Sequence, residues 1–236
     1  MNVLVVVPTY NERDNLPLLT RAVLAHDGYR MLVVDDASPD GTGEIADDLA
    51  REYSGRVEVM HRTGTRGLGR SYVDGLRRAI AQDDVDLVCQ MDADLSHDPS
   101  YLPALAAAAA SYDLVIGSRY LQGISVVNWP LHRIMLSTFA NRYIRAVTRL
   151  RATDCTSGFR CWRRDALARI PLEKMVSDGY SFLVEMLVEA DRRGSRIGEV
   201  PIVFVERRQG QSKLSSAVLF ESLLMPWRLR LRGARR

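Results

Sequence analysis

Short apolar runs alternate with amphipathic stretches through the first half of the chain. Asn2 to Val7 is an apolar run that ends in the turn cluster Pro8-Thr9-Tyr10-Asn11-Glu12, and a helical pattern follows from Asp14 to Ala25. A run this short, bounded by turn residues, predicts a buried strand, a loop and a helix. The unit recurs at Met31 to Asp35, where a second buried strand ends in acidic residues and enters a helix through Pro39 and Asp40. Further along, the pattern predicts a strand over Val57 to Met60, a helix over Leu68 to Ala81, a strand over Val85 to Met91, an Ala-rich helix over Pro99 to Ser111 and a strand over Asp113 to Ile116. Such alternation argues for an α/β fold, a mostly parallel sheet flanked by helices on both faces. The second half reads differently: helical from His132 to Thr148, extended from Thr156 to Trp162, helical from Tyr180 to Arg193 and extended from Ile197 to Val205. That α+β texture sets the second half apart from the first.

Three of the predicted strands end in polar clusters, and in open α/β sheets ligands bind outside the carboxyl ends of strands. The sharpest cluster is Leu87-Val88-Cys89-Gln90-Met91-Asp92-Ala93-Asp94, where an apolar run delivers two carboxylates two residues apart. A hard cation such as Mg²⁺ takes one or two carboxylates plus substrate phosphates, so the pair suits a divalent cation bridging a diphosphate. Two glycine patterns compete for attention. Gly41-Thr42-Gly43-Glu44-Ile45-Ala46 fits a dinucleotide fingerprint, but Ser38-Pro39-Asp40 makes the preceding turn long and acidic, a poor cradle for pyrophosphate. Gly67-Leu68-Gly69 lacks a third glycine, because Tyr72 stands there, and reads as a tight turn opening a helix.

The chain has 236 residues, 47% of them hydrophobic, enough for one domain with a sizeable core. A net charge of +3 is too balanced for a nucleic-acid binder. Cys89, Cys155 and Cys161 form neither an even set nor a Cys-x-x-Cys pair and are read as reduced thiols of a cytosolic protein. The N-terminal run has no basic region before it and reads as a strand, with no signal peptide.

VVPTYNE, VVDDASPDGT, GLGRSYVDGL, MDADLSHDP, IGSRY, SGFR and the late SKLS, in this order and spacing, resemble inverting family 2 glycosyltransferases of the GT-A (nucleotide-diphospho-sugar transferase) fold. Within them the chain is most similar to polyprenol-phosphate (dolichol-phosphate) mannosyltransferases, from Val3 to about Ser215. The resemblance implies one domain over residues 1–236, with a nucleotide-sugar half to about residue 120, an acceptor half over about 121–213 and an amphipathic, basic segment over 214–236. It implies transfer of mannose from GDP-mannose to a polyprenyl monophosphate with inversion, using Mg²⁺ or Mn²⁺. Pro8, Tyr10, Glu12, Val34, Asp36, Asp92, Ala93, Asp94, Arg119, Arg207 and Lys213 match positions that hold the nucleotide-sugar. Asp92, Asp94 and Ser96 match the metal site; many relatives carry Gln at the third position, so Ser96 is expected to reach the metal through a water. His97 is read as a turn residue, since imidazole suits softer metals. Glu12 and Asp36 also stand where carboxylates favour helix starts.

A polyprenyl monophosphate has a second pKa of about 6 and is largely dianionic near neutrality, so it needs no proton removed. It needs a cationic pocket that holds it in line with the anomeric carbon. Arg119, Arg133, Arg207 and Lys213 are the candidates, and Asp94, Arg119, Arg133 and Lys213 the candidate catalytic residues. The chain carries 30 Arg and 2 Lys, so most arginines are solvated or salt-bridged, and Arg119 is singled out because it follows a predicted strand. Glu185 would act as a base only toward an alcohol, and is read as structural or acceptor-side.

Leu214 to Met225 is apolar, but it is only about a dozen residues long, contains Glu221 and is broken at Pro226, whereas a membrane span needs about 20 residues. No transmembrane helix is expected. Trp227 with Arg228, Arg230, Arg232, Arg235 and Arg236 resembles an interfacial anchor, which puts the protein on the cytoplasmic face of a membrane as a peripheral enzyme. An integral-membrane partner protein can replace a missing anchor. Two alternatives remain open at this stage: a UDP-glucose or UDP-hexosamine dependent polyprenyl-phosphate glycosyltransferase, and a non-catalytic nucleotide-sugar-binding subunit.

Overall fold

The computed structural model describes residues 1–177, 179–206 and 216–233, by backbone alone at Tyr180, 216–222, 232 and 233. Strands β1 (Val3–Thr9), β2 (Tyr29–Asp35), β3 (Val57–His61), β4 (Leu87–Gln90), β5 (Leu114–Ser118), β7 (Arg160–Arg163) and β8 (Ile197–Pro201) form one sheet in the order β3-β2-β1-β4-β7-β5-β8. All neighbours pair in parallel except β7, which runs antiparallel to both β4 and β5. Between the strands lie α1 (Leu16–Leu24), α2 (Thr42–Glu52), α3 (Leu68–Ile80), α4 (Leu102–Ala108), α5 (Leu131–Thr148), α6 (Arg164–Leu167) and α7 (Gly179–Arg192), and α8 (Ser216–Gly233) closes the described chain. A second, two-stranded sheet joins β6 (Val126–Val127) to β9 (Phe204–Val205).

Strand alternation divides the core into two layers. Leu4 and Val6 of β1 and Leu32 and Val34 of β2 face α3 and α7, whose Tyr72, Leu76, Phe182 and Met186 fill that side. Val3, Val5 and Val7, with Met31 and Val33, face the other way onto Leu16, Leu19 and Val23 of α1, Leu49 of α2 and Leu102 and Leu105 of α4. Burial on both faces explains why these strands read as continuous apolar runs.

Four expectations are corrected. The Pro99 to Ser111 helix begins as a 3₁₀ turn over Pro99–Tyr101, capped by the Asp98 carboxylate accepting from the Ser100 N–H at 2.8 Å, and its α-helical part ends at Ala108. Of the Thr156 to Trp162 stretch only Arg160 to Trp162 is strand, the start of β7, because the backbone of the preceding residues bonds to side chains, Thr156 N–H to Asp154 and Phe159 N–H to Ser157. The Ile197 to Val205 stretch divides between the two sheets: β8 pairs with β5, and β9 with β6. Pro226 does not break the C-terminal helix. A proline removes one rung of the helical ladder, but here Met225 and Leu229 are buried in the core, and the Tyr143 hydroxyl donates to the Leu223 carbonyl at 2.6 Å. Tertiary packing thus offsets the local cost.

Helix α3 approaches β1 and β2 closely at Gly75, where a Cβ would stand 2.6 Å from Val6 Cγ1 and 2.8 Å from Val34 Cγ2. Both valines are fully buried and have nowhere to move. Gly75→Ala is expected to lower stability by about 1–3 kcal/mol through overpacking, read as a fall in the urea midpoint at unchanged slope.

Candidate active site

β1, β2 and β4 lie side by side and parallel, so the loops that leave them meet at one edge of the sheet. Asn11, Ala37 and Leu95, one in each loop, have φ of 62°, 55° and 61°. Non-glycine residues adopt positive φ at some energetic cost, and such strain concentrates at functional sites. Side chains stitch the loops after β1 and β2 together. Thr9 Oγ1 and Ser38 Oγ donate to Asp35 Oδ1 at 3.3 and 2.6 Å, and the Asn11 and Glu12 N–H groups donate to Ser38 Oγ at 3.1 Å and Thr42 Oγ1 at 2.9 Å. Asp35, Ser38 and Thr42, which sequence reasoning passed over, build this frame.

On the proposed nucleotide side, Tyr10 is exposed, with the Arg66 guanidinium 4.9 Å over its ring and Arg66 Nη1 donating to its hydroxyl at 3.0 Å. Glu12 accepts from Asn15 Nδ2 at 2.8 Å just before α1. Asp36 is buried, paired with Arg62, and accepts from the Gly67 N–H at 2.8 Å. It therefore caps α3; the helix next in sequence, α2, starts elsewhere. Val34 and Ala93 carry their side chains in the two core layers, and Pro8 is buried beside Val34.

The carboxylate loop follows β4. Asp92 and Asp94 are both partly exposed, and each has an oxygen held. Asp92 Oδ1 accepts from the Tyr72 hydroxyl at 3.2 Å; Asp94 Oδ1 accepts from the Ser96 hydroxyl at 2.5 Å and the Ser96 N–H at 3.0 Å. Ser96 is buried and, as placed, positions Asp94. His97 is also buried, its ring stacked on Phe159 and meeting Phe204 edge-on at centroid distances of 5.0 and 5.4 Å. Burial pushes its pKa down despite nearby Asp92 and Asp94, leaving a neutral ring whose Nδ1 accepts the Asp92 N–H at 3.3 Å. No group of three or more His, Cys, Asp or Glu side chains suited to a metal occurs among the described residues. A pair of carboxylates in one loop fits a hard divalent cation that completes its shell with phosphate oxygens and water.

Arg119 departs most from expectation. It is buried: its Nε and Nη2 donate to Asp154 Oδ2 and Oδ1, both at 2.7 Å, its own N–H adds a third bond to Asp154 at 3.1 Å, and Nη2 also reaches Thr156 Oγ1 at 2.8 Å. Tyr120, Trp129 and Phe204 surround the guanidinium at 5.4–5.6 Å. A buried charge demands such a partner, so the cation expected to face a phosphate outright is first an internal ion pair. Asp154 is held in turn by Glu199, which accepts from the Asp154 and Thr153 N–H groups at 3.0 and 2.8 Å. Neither Asp154 nor Glu199 was visible in any motif. Arg133 lies 4.1 Å over the Trp129 ring and is paired with Glu206. Phe204 touches both His97 and Arg119, so a single ring separates the carboxylate loop from the cation cluster. Glu185 is buried and accepts from the Val176 and Ser177 N–H groups at 3.3 and 3.0 Å, which gives it a structural post. Arg207 and Lys213 lie outside the described residues.

Solved structures share this architecture. Glucosyl-3-phosphoglycerate synthase of Mycobacterium tuberculosis superposes with a TM-score of 0.67 at 19% identity, covering 98% of this chain and 80% of that one. Its complex with Mn²⁺ and UDP-glucose superposes with a TM-score of 0.67 at 19% identity, covering 95% and 78%. The fold is thus that of the GT-A glycosyltransferases. A family model for glycosyl transferase family 2 matches residues 4–170, and the chain belongs to that family. It is 46% identical to an undecaprenyl-phosphate mannosyltransferase of Micrococcus luteus over 95% of this chain and 92% of that protein. It is 44% identical to a polyprenol monophosphomannose synthase of Mycolicibacterium smegmatis over 98% and 87%.

Burial opposes ionisation of Asp154, yet Arg119 prevails and holds its pKa below the ordinary carboxylate value. A depressed folded pKa contributes stability that is fully present above about pH 4, the unfolded carboxylate value, and is lost as pH falls through the folded one. Asp154→Asn should therefore cost about 3–5 kcal/mol at neutral pH by stranding the Arg119 charge. In chemical denaturation, the gap from wild type should hold constant above about pH 4 and narrow below it.

Proposed function

We propose that this enzyme transfers mannose from GDP-mannose to a polyprenyl monophosphate, with inversion, to give polyprenyl-phosphate mannose. The observation that carries this reading is the meeting, across Phe204, of a paired-carboxylate loop with an arginine cluster. One half suits a nucleoside diphosphate and the other a second phosphate. Identity of 44–46% over nearly the whole chain to proteins named for this reaction supports it.

Tyr10, Glu12 and Asp36 hold the nucleoside, and the backbone at Pro8, Val34 and Ala93 shapes its seat. Asp92 and Asp94, with Ser96 fixing Asp94, hold Mg²⁺ or Mn²⁺, which when bound neutralises charge on the departing diphosphate. Arg133, Arg207 and Lys213 hold the acceptor phosphate, and Arg119, braced by Asp154, sets the positive field of that pocket. A phosphate oxygen of the acceptor forms the bond to the anomeric carbon from the face opposite the diphosphate. The bond to the diphosphate breaks, and its electrons leave with GDP. No proton changes hands, so the site needs orientation and charge more than a base.

A lipid acceptor requires a membrane surface. Among the described residues no helix is long and apolar enough to cross a membrane. Leu131, Met135 and Phe139 expose one stripe of α5, and Leu223, Leu224, Trp227 and Leu231 expose another on α8, which packs beside it. These stripes support peripheral attachment to the cytoplasmic face, alone or beside an integral-membrane partner. Arg230, one of the expected basic anchors, instead donates to the Val147 carbonyl at 2.7 Å and ties α8 to α5.

Transfer of labelled sugar to a short polyprenyl phosphate in detergent tests the reading. Product from GDP-mannose, and none from UDP-glucose or UDP-N-acetylglucosamine, is expected only with divalent metal; product from a UDP-sugar alone would replace the donor. Asp94→Ala should reduce turnover by at least about a hundredfold, in line with the loss of a charge-stabilising group. The far-ultraviolet circular dichroism of that variant should match wild type.

A further inference from the structure

We propose that Tyr72 is the positioning residue that orients Asp92 for its divalent cation, a role resting on the reading of Asp92 as a metal carboxylate. Tyr72 sits on α3, in the stretch that as sequence reads only as a glycine-rich turn opening a helix. Its side chain is fully buried, and its ring lies parallel to that of Phe182 on α7, tilted by 7° at a centroid distance of 6.1 Å. Packing therefore fixes where the hydroxyl points. A phenol enclosed in a core needs a hydrogen-bond partner, and the partner here is Asp92 Oδ1 at 3.2 Å, twenty residues on in the chain. An ordinary phenol, with a pKa of about 10, keeps its proton near neutrality, so the hydroxyl is the donor of this bond.

Two further contacts hold Asp92 from other sides. Its N–H donates to His97 Nδ1 at 3.3 Å, and the Gly158 backbone lies alongside, where a Cβ would make ordinary contact with Oδ1 and Oδ2 at 3.4 and 3.6 Å. Asp92 is thus located by α3, by its own loop and by the loop before β7. The Tyr72 hydroxyl acts on the carboxylate by a directed bond, while His97 Nδ1 stands 3.8 Å from Oδ2. Outer partners of this kind are worth about 10–100-fold in metal affinity.

The test is a Mn²⁺ titration of the full chain, followed by electron paramagnetic resonance of free Mn²⁺, with GDP and separately with UDP present. Wild type, Tyr72→Phe and Asp92→Asn are compared, with metal-free nucleotide affinity and the unfolding temperature measured alongside. Tyr72→Phe keeps the ring and its stacking. It should weaken Mn²⁺ binding about tenfold and raise the Mn²⁺ concentration for half-maximal activity, with metal-free nucleotide affinity unchanged and most of kcat recovered at saturating metal. Phe182→Leu, which frees the ring but keeps the hydroxyl, should loosen Mn²⁺ binding to a smaller degree, and it carries the same readout if Tyr72→Phe is unstable. Unaltered Mn²⁺ affinity in Tyr72→Phe beside a weakened Asp92→Asn would overturn the role of Tyr72 and leave the metal reading standing. Unaltered affinity in both would remove the metal reading, and this inference with it.

Discussion

The site depends on one strand that runs the wrong way. β4 and β5 do not pair with each other; β7 lies between them, antiparallel to both, with Arg160 opposite Gln90 and Ile116. The residues just before β7 therefore emerge at the carboxyl ends of β4 and β5, where Asp92 and Arg119 begin. A parallel β7 would have sent them to the far edge of the sheet. This reversal lets Asp154 meet Arg119 and lets Gly158 lie against Asp92. Arg160 secures the turn: fully buried, it donates to the carbonyls of Ser157, Leu183 and Cys155 at 2.8–3.1 Å. Burial lowers its pKa to about 10, still far enough above neutrality to keep its charge.

Charge in this protein is organised by depth. The arginines nearest the sheet, Arg119 and Arg160, are buried and satisfied internally, whereas Arg66 and Arg133 lie over aromatic rings closer to the surface. Buried ion pairs contribute little net stability, because desolvation offsets attraction. The Arg119 to Asp154 pair is better understood as fixing a geometry: it pins the loop at 153–156 to the end of β5, and the aromatic rings around it keep water from loosening it. β9 extends that rigidity, since the Val205 N–H reaches the Ser96 carbonyl at 3.4 Å and Phe204 packs on His97.

What could be read from the sequence follows from which constraints are local. Val3 to Val7 and Met31 to Val34 are buried on both faces, so their apolar runs announce strands, and the carboxylates that follow announce a site. The family resemblance is carried by the same stretches, and the whole-chain identity to named relatives agrees with it. Direction and partnership were not legible. A four-residue strand such as β7 carries no sign of which way it runs, and an ion pair such as Arg119 with Asp154 joins residues 35 apart through a sheet whose order the sequence does not spell. Tyr72 was hidden for the same reason, its partner being a distant acid. Pro226 misled because a local rule was overruled by packing of Met225 and Leu229.

The β7 reversal also sets two thiols side by side. Cys89 and Cys161 are direct cross-strand partners, both fully buried, and Cys155 lies buried in the adjoining loop. The Cys161 sulfur and burial together push the Cys89 thiol well up, so it holds its proton, and an alkylating reagent attacks only thiolate. Its reagent must wait for the centre of the sheet to part, which in such cores approaches global unfolding. Cys89 and Cys161 thus serve as an internal clock: the rate at which they become modified counts how often the β4 to β7 seam opens.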